Sequence, residues 1–352
     1  MGIRGRLAVF ALAFAALAPS LARAEDPPCL RFPGGLDQKI RHPPLEVVYP
    51  EAEQYREDED WTSFAVTIEP DGTIGEIWQR DALGGDAFGR AAAAAIAKAK
   101  YAPAPMLNGK PARLGHSFEV AFRLDPIERG GVHNYYSETY DRARMARERR
   151  DYAASVRILK DSLPWPHDLY ELTTMSYALA VSYQGLNDWR RATRHIRHAT
   201  ISNGVYADKG VRAAALAMTT ELNARDHNYR WAKCAYDALK KQYPDRQDSP
   251  TLAAAAAETD AALGGVAPIR TEVEILEQDR ADLMPHWWHL LSRPSFAIEN
   301  VQGAVKSYRL DCLGHTERGP VVLGARVAMP FGMRCDLYVM GDPGAKFVLD
   351  ER

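Results

Sequence analysis

The chain has 352 residues, which allows two or three domains, and its 46% apolar and 26% charged residues are typical of globular proteins. These values exclude a wholly disordered or fibrous chain. The formal net charge is −2, without the basic excess of a dedicated nucleic-acid-binding protein, so we expect no nucleic-acid partner. No run of 18 apolar residues occurs, so no segment has the usual composition of a transmembrane helix.

Residues 1–24 have the pattern of a secretory signal peptide. Arg4 and Arg6 give a positive start, an apolar stretch follows, and Ala22-Arg23-Ala24 is a small-x-small cleavage site. We expect cleavage after Ala24, a linker over residues 25–42, and a periplasmic mature chain with 41 basic and 46 acidic residues.

The alternative for the same segment is an uncleaved anchor in the inner membrane. Its apolar part, residues 7–21, is only 15 residues long and is interrupted by Pro19 and Ser20. That length is short for a bilayer core roughly 30 Å thick, so cleavage is favoured.

An oxidising compartment favours disulfide bonds between the four cysteines. Cys312 and Cys335 lie in two alternating segments near the C-terminus, and adjacent strands would bring them together, so we expect a bridge. Two free buried thiols are the alternative, and the pairing of Cys29 with Cys234 stays open. No C-x-x-C spacing occurs, which argues against a zinc knuckle or a thioredoxin-like site.

Residues 43–126 alternate between polar and apolar, then become helical, then alternate again. Phe64, Val66 and Ile68 fall on one face of a strand, and Asp71-Gly72 is a typical hairpin turn. A second strand, an alanine-rich helix and a last strand are predicted over residues 74–80, 88–100 and 116–124. This order predicts a small sheet with one packed helix.

The same stretch resembles the C-terminal domain of TonB-family energy transducers. The matching features, in chain order, are Tyr49-Pro50, the Pro70-Asp71-Gly72 turn, Phe88 heading the helix, Lys100-Tyr101-Ala102-Pro103-Ala104, Asn108-Gly109-Lys110-Pro111 and the strand from Phe118 to Leu124. Two features depart from the family pattern. An acidic run replaces the glycine usual before the first strand, and Ala99 replaces a common aromatic residue.

The resemblance implies a periplasmic domain that pairs with a short segment of an outer-membrane receptor. The physical route is strand addition, in which an extended peptide bonds to an exposed sheet edge. The last strand is the candidate partner-binding edge, with residues Ser117, Phe118, Glu119, Val120, Ala121, Phe122 and Arg123. The alternative is that the chain itself caps this strand. The expected partners are proteins, either outer-membrane receptors or cell-envelope complexes.

Residues 133–264 show helical periodicity with internal repeats. A unit with Leu179 and Tyr183 in its first helix and Trp189 and Ile196 in its second recurs 37 residues earlier and 40 residues later. This pattern resembles tetratricopeptide repeats, whose nominal period is about 34 residues, and such arrays bind proteins. An irregular helical bundle is the alternative.

Residues 270–352 contain short alternating runs separated by Gly, Pro or Asn, which predict a small β-sandwich or barrel. The predicted strands are 272–276, 296–301, 305–312, 321–328, 334–340 and 346–349. The overall fold class is therefore α+β: a small TonB-like sheet with one packed helix, an all-α tetratricopeptide-like array, and a small all-β domain.

Two histidine clusters invite a metal-site interpretation. His286-Trp287-Trp288-His289 would place two histidines on one helix face, but no third ligand is evident, so a core edge or protein contact is favoured. His195 and His198 have the same spacing on a helix that carries four arginines. We expect a basic solvated face there, or a surface for an acidic partner, and no metal.

No catalytic motif is found. His116-Ser117 lacks a nucleophile elbow, neither a P-loop nor a G-x-G-x-x-G occurs, and the acidic segment 51–60 is typical of a solvated linker or helix. We therefore predict no catalytic residue, no cofactor and no small-molecule substrate. The alternative is a periplasmic enzyme whose site lies around His286, His289 or His315 in the C-terminal domain.

The function predicted from the sequence is that of a periplasmic TonB-family adaptor or scaffold acting in TonB-dependent outer-membrane transport. Only residues 25–48 separate the expected cleavage site from Tyr49-Pro50, so a long Pro-rich span across the periplasm is not expected. The alternative is an inner-membrane-anchored energy transducer that keeps its leader.

Overall fold

The computed structural model describes residues 45–101, 106–107, 109–124, 133–162, 168–312, 315–329 and 334–352. The predicted signal peptide, the linker, Cys29 and Asn108 lie outside these residues. Within them the chain forms a small sheet with a helix, then a helical array, then two further sheets, so the predicted α+β fold class is confirmed. No helix in the described ranges combines the length and apolar character required to cross a membrane.

The first unit is an antiparallel three-stranded sheet with strand order β2-β1-β5. One long helix, α2, packs across the sheet, and the core between them contains Phe64, Phe88, Ile96, Phe118 and Phe122. The alternation predicted from the sequence is confirmed, since Phe64 pairs with Phe118 across β1 and β5. The elements are α1 (Glu51–Tyr55), β1 (Asp60–Ile68), β2 (Ile74–Ala82), α2 (Asp86–Lys98), β3 (Met106–Leu107), β4 (Lys110–Pro111) and β5 (Leu114–Phe122).

The helical array consists of three successive helical hairpins followed by a last helix that packs on the third hairpin. Its core is rich in alanine, which lets helices approach closely, and Leu159, Leu179 and Ile196 fill the space between them. The helices are α3 (Asn134–Glu148), α4 (Tyr152–Ser162), α5 (Leu169–Gly185), α6 (Trp189–Ala199), α7 (Lys209–Arg225), α8 (Tyr229–Gln242) and α9 (Pro250–Gly264).

The turn inside each hairpin has the same geometry. Arg150, Asn187 and His227 each end a helix in the left-handed region, with φ of 61°, 59° and 54°. In each case the next backbone N–H bonds to the carbonyl five residues back, which is a helix-terminating pattern usually built with glycine. These residues are 37 and 40 positions apart, as in the sequence repeat. The array is therefore a true structural repeat, while its tetratricopeptide identity stays a prediction.

The C-terminal unit contains two four-stranded antiparallel sheets, with orders β10-β9-β12-β7 and β11-β8-β13-β6. One shared core with Leu310, Leu337 and Phe347 joins them, so they form a sandwich. The expected disulfide is present, between Cys312 on β9 and Cys335 on β12. Cys234 is also disulfide-bonded. The strands are β6 (Ile269–Glu274), β7 (His286–Leu290), β8 (Ser295–Gln302), β9 (Val305–Cys312), β10 (His315–Pro320), β11 (Arg326–Ala328), β12 (Cys335–Gly341) and β13 (Lys346–Glu351).

Two local predictions are wrong, and one strand is missing from the predicted set. His286–Leu290 forms a strand that pairs with β12 inside the sandwich, so it does not offer the helix face that a shared metal site would need. The predicted strand 321–328 contains a turn at Gly324, whose φ is 69°, so only its last three residues form a strand. In the acidic segment, Asp60 is fully buried at the start of β1 and is not solvated.

Candidate functional site

The predicted partner-binding residues lie on or next to β5, the outer strand of the described sheet β2-β1-β5. Phe118, Val120 and Phe122 are buried on the α2 side, whereas Ala121 is exposed. Arg123 follows the strand, and its guanidinium lies 5.4 Å from the centre of the Tyr206 ring of the array. On the other face, Ser117 is half-buried and Glu119 is exposed. The binding role of this strand stays a prediction.

The face of the sheet opposite α2 packs on the sandwich sheet β10-β9-β12-β7. Arg309 is buried there, and its Nε lies 2.9 and 2.8 Å from the two carboxylate oxygens of Asp311. Its Nη1 is 2.8 Å from Glu76 Oε2 on β2. Arg80 Nη1 of β2 donates to the Tyr338 hydroxyl at 2.6 Å. This interface is therefore held by buried charged and polar groups.

The close approach of the two sheets also depends on Gly115 of β5. A Cβ atom at this position would lie 2.8 Å from Thr316 Oγ1 and 2.9 Å from Asp311 Cβ. Side chains larger than hydrogen therefore do not fit without a shift. The sandwich therefore covers one face of β5 at the start of the strand.

The three units of the molecule meet at Asp81, the residue before the end of β2. Its carboxylate oxygens are both 2.9 Å from His198 Nε2, and Arg197 Nη2 lies 3.3 Å away. Burial alone would raise the pKa of Asp81, but its contacts with His198 and Arg197 outweigh burial and hold the pKa well below its usual value. Asp81 thus forms a buried ionic link between the first sheet and the array.

The interpretation of His195 and His198 as part of a basic solvated face is wrong. Both imidazoles are buried, because α6 is covered by the first sheet and by the sandwich. His195 stacks on Tyr183 with 5.3 Å between ring centres, and burial lowers its pKa to about 3.

Two clusters of potential metal ligands occur among the described residues. In each, one ligand atom per residue lies within 4.8 Å of the others; the clusters are His195, His198 and Asp279, and His133, Asp168 and Glu171. Lys160 Nζ lies 3.6 Å from Asp279 in the first cluster, and Arg194 is close by, which disfavours a cation. In the second, His133 already contacts Glu171 at 2.9 Å. We assign no metal to either.

A cleft between the array and the sandwich brings together the arginine-rich helix and the His-Trp-Trp-His motif. Its cavity volume is about 60 Å³. One wall carries Arg190, Arg194 and Arg197 of α6, and β7 contributes Trp287 and Trp288. Two motifs about 90 positions apart in the chain therefore line one cavity.

Two further polar residues line this cleft, and no pattern in the sequence points to either of them. Asn223 and Asp226 lie at the end of α7, where polar residues are ordinary. Both are nevertheless buried. Burial raises the pKa of the Asp226 carboxyl to about 7. Their place in the cleft becomes evident only from the packing of the sandwich against the array.

The histidines considered for catalysis lie in separate environments. His286 packs against Trp78 with 5.0 Å between ring centres, on the side of the first sheet. His289 Nε2 instead contacts Glu351 Oε1 at 2.9 Å inside the sandwich. His315 lies on β10 next to Glu317. Residues three positions apart on a strand point to opposite faces, so the side chains of His286 and His289 lie in different environments.

Comparison with known proteins supports the family resemblance. Residues 46–124 match the family described as Gram-negative bacterial TonB protein C-terminal. The match begins before α1 and ends just after β5, so it covers the first sheet and its helix. The predicted TonB C-terminal domain is therefore confirmed for residues 46–124. A search of curated proteins finds no match to this chain.

Proposed function

Starting from a TonB C-terminal domain at residues 46–124, we propose that this chain is a protein-binding adaptor of the Gram-negative cell envelope. The family match is the single observation that carries the proposal. The adaptor acts in the periplasm after loss of its leader and takes part in transport that depends on TonB-type contacts.

The first binding surface is the second half of β5. Strand addition joins backbone groups of a partner to the outer strand of a sheet and uses alternate side chains for selectivity. Ala121 is exposed, and Arg123 lies next to the array, so a bound peptide would meet both units. The part of the opposite face that packs on the sandwich is not proposed to bind a partner.

The second binding surface is the helical array. Stacked helical hairpins present long faces to other proteins, and Met145 of α3 and Leu186 after α5 are large exposed apolar residues there. Because Asp81 links the first sheet to α6, the two surfaces keep a fixed relation. A fixed relation between two binding surfaces is what an adaptor requires.

Photo-crosslinking in living cells tests the strand-addition step. A photoreactive residue at Ala121 should capture one defined envelope protein, identified by mass spectrometry. The matched control is Val266, which is 94% exposed but lies between the array and the sandwich. Failure to capture a product specific to Ala121 would contradict strand addition.

The mature N-terminus tests the compartment. Mass spectrometry of the chain recovered from the periplasm should find Glu25 as the first residue. A chain that begins at Met1 and fractionates with the inner membrane would overturn the periplasmic adaptor in favour of an anchored transducer.

A further inference from the structure

The α7 wall of the cleft between the array and the sandwich presents two buried acceptors. Asn223 Nδ2 donates to Thr219 O at 2.8 Å, but its Oδ1 is buried and receives no hydrogen bond from the described residues. Asp226 is buried too, and the positive charges of Arg190 and Arg197 act on its carboxyl group without a hydrogen bond from either. An unsatisfied buried acceptor is costly, so Asn223 Oδ1 calls for a donor group, and the carboxyl group of Asp226 in the same cleft can accept from that donor.

The position of Asp226 makes its carboxylate harder to explain as a structural feature. It caps the C-terminal end of α7, where backbone carbonyls already concentrate negative charge. Helix ends of this kind stabilise cations. Because Asn223 lies three residues earlier, both acceptors fall on one side of the helix. This wall is therefore suited to a positively charged donor such as an ammonium group.

The α6 wall presents guanidinium groups at i, i+4 and i+7, which lie along one side of the helix. Arg190 donates to Glu272 O at 3.1 Å, and Arg194 donates to Glu277 O. A guanidinium carries five N–H donors, so each of these contacts leaves others for a ligand. The charges of Asp279 and Asp81 act on Arg194, and no hydrogen bond joins its guanidinium to either carboxylate.

We propose that this cleft binds a small zwitterion, with an ammonium group and a carboxylate held a few ångströms apart. The ligand carboxylate would accept from Arg194 and Arg190, and the ammonium would donate to Asp226 and Asn223. Trp287 adds an aromatic surface at the cleft. A simple anion would leave the buried acceptors unsatisfied, and a simple cation would face three guanidinium groups. Free α-amino acids and short peptides both carry this pair of groups.

Calorimetric titration of the full mature protein, dialysed after refolding to remove carried ligand, tests the proposal. The probes are glycine, L-alanine and diglycine, with acetate and methylammonium as half-ligands. We expect at least one zwitterion to bind at least tenfold more tightly than either half-ligand. A preference for glycine or alanine identifies the ligand as a free amino acid, and a preference for diglycine identifies it as a short peptide.

Variants locate the binding to the cleft. Asp226→Asn and Arg194→Gln should each weaken zwitterion binding at least tenfold. The matched control is Arg191→Gln on the same helix, because Arg191 pairs with Asp188 and does not line the cleft. It should keep the affinity of the unchanged protein. If Asp226→Asn does not fold, Asn223→Ser replaces it as the test of the acceptor wall.

Tryptophan fluorescence gives a second, independent readout. A bound zwitterion should alter the emission, and Trp287→Phe should remove most of that alteration. The proposal is overturned if no zwitterion binds, if acetate or methylammonium binds as tightly as the best zwitterion, or if Arg191→Gln weakens binding as much as Arg194→Gln.

Discussion

The two faces of the sheet β2-β1-β5 are both buried, but by different kinds of contact. On the α2 side, Phe64, Phe118 and Phe122 form an apolar core. On the other side, Arg80 of the sheet donates to Tyr338 of the sandwich, and Arg309 of the sandwich pairs with Glu76 of the sheet. The first face gains stability from removing apolar area from water, and the second depends on keeping every buried charge paired.

This difference explains how a small TonB-type domain is incorporated into a larger body. An isolated sheet of this size has one face on its helix and one toward solvent. Here the face opposite α2 keeps its polar residues, and these pair with polar residues of the sandwich. The outer strand β5 is then the part of the domain through which we propose partner binding.

The largest expected effect concerns the apolar face. Phe118→Ala removes a buried ring between β5 and α2. We expect a loss of about 4 kcal/mol in the free energy of unfolding, because the cavity adds to the lost transfer energy. Urea unfolding followed by circular dichroism measures it. A loss below about 1 kcal/mol would show that this face is not a packed core.

A smaller loss is expected on the polar face. Arg309→Ala leaves the Asp311 carboxylate buried without its cationic partner. We therefore expect a loss of about 3 kcal/mol in the free energy of unfolding. The control is Arg318→Gln, since Arg318 also contacts Glu76 but is half-exposed, and its loss should stay within about 0.5 kcal/mol. Equal losses in the two variants would contradict the burial of the Arg309 network.

The polar face should also be the pH-sensitive one. Burial lowers the pKa of His286 to about 4, whereas an unfolded chain has a value of about 6.5. Between these values only the unfolded chain binds the proton, so the stability contribution is complete above pH 6.5 and falls as the pH drops toward 4.

The test compares the unchanged protein with His286→Asn. Between pH 7 and pH 5, the free energy of unfolding of the unchanged protein should fall by about 2 kcal/mol more than that of the variant. Urea unfolding at the two pH values measures the difference. Identical losses would show that His286 accepts a proton freely in the folded state.

Much of the fold could be predicted because its signals are local. The alternation of Phe64, Val66 and Ile68 depends on the two-residue period of a strand, and the 37- and 40-residue spacings repeat a whole helical hairpin. The Cys312–Cys335 bridge followed from two neighbouring alternating segments. The strand at His286 is absent from the predicted set, because four residues carry too little periodicity to separate helix from strand.

The candidate cleft could be predicted only in part. Its arginines and its tryptophans form two unusual clusters in the sequence. The arginine cluster suggests a solvated helix face, and the tryptophan pair suggests an edge of the core or a protein contact. Asn223 and Asp226 gave no signal, since a polar residue at a helix end looks the same whether it meets water or another domain.

By itself, the sequence determined the order of the three units, the apolar core of the first sheet and its TonB-type identity, because these depend on residue patterns within short stretches. Only the tertiary structure decided that the second face of that sheet is buried, that Asp81 joins the first sheet to α6, and that α6, α7 and β7 enclose a cleft. The physical reason is that polar groups pair across domains through distance and direction, and neither is encoded in the local periodicity of a chain.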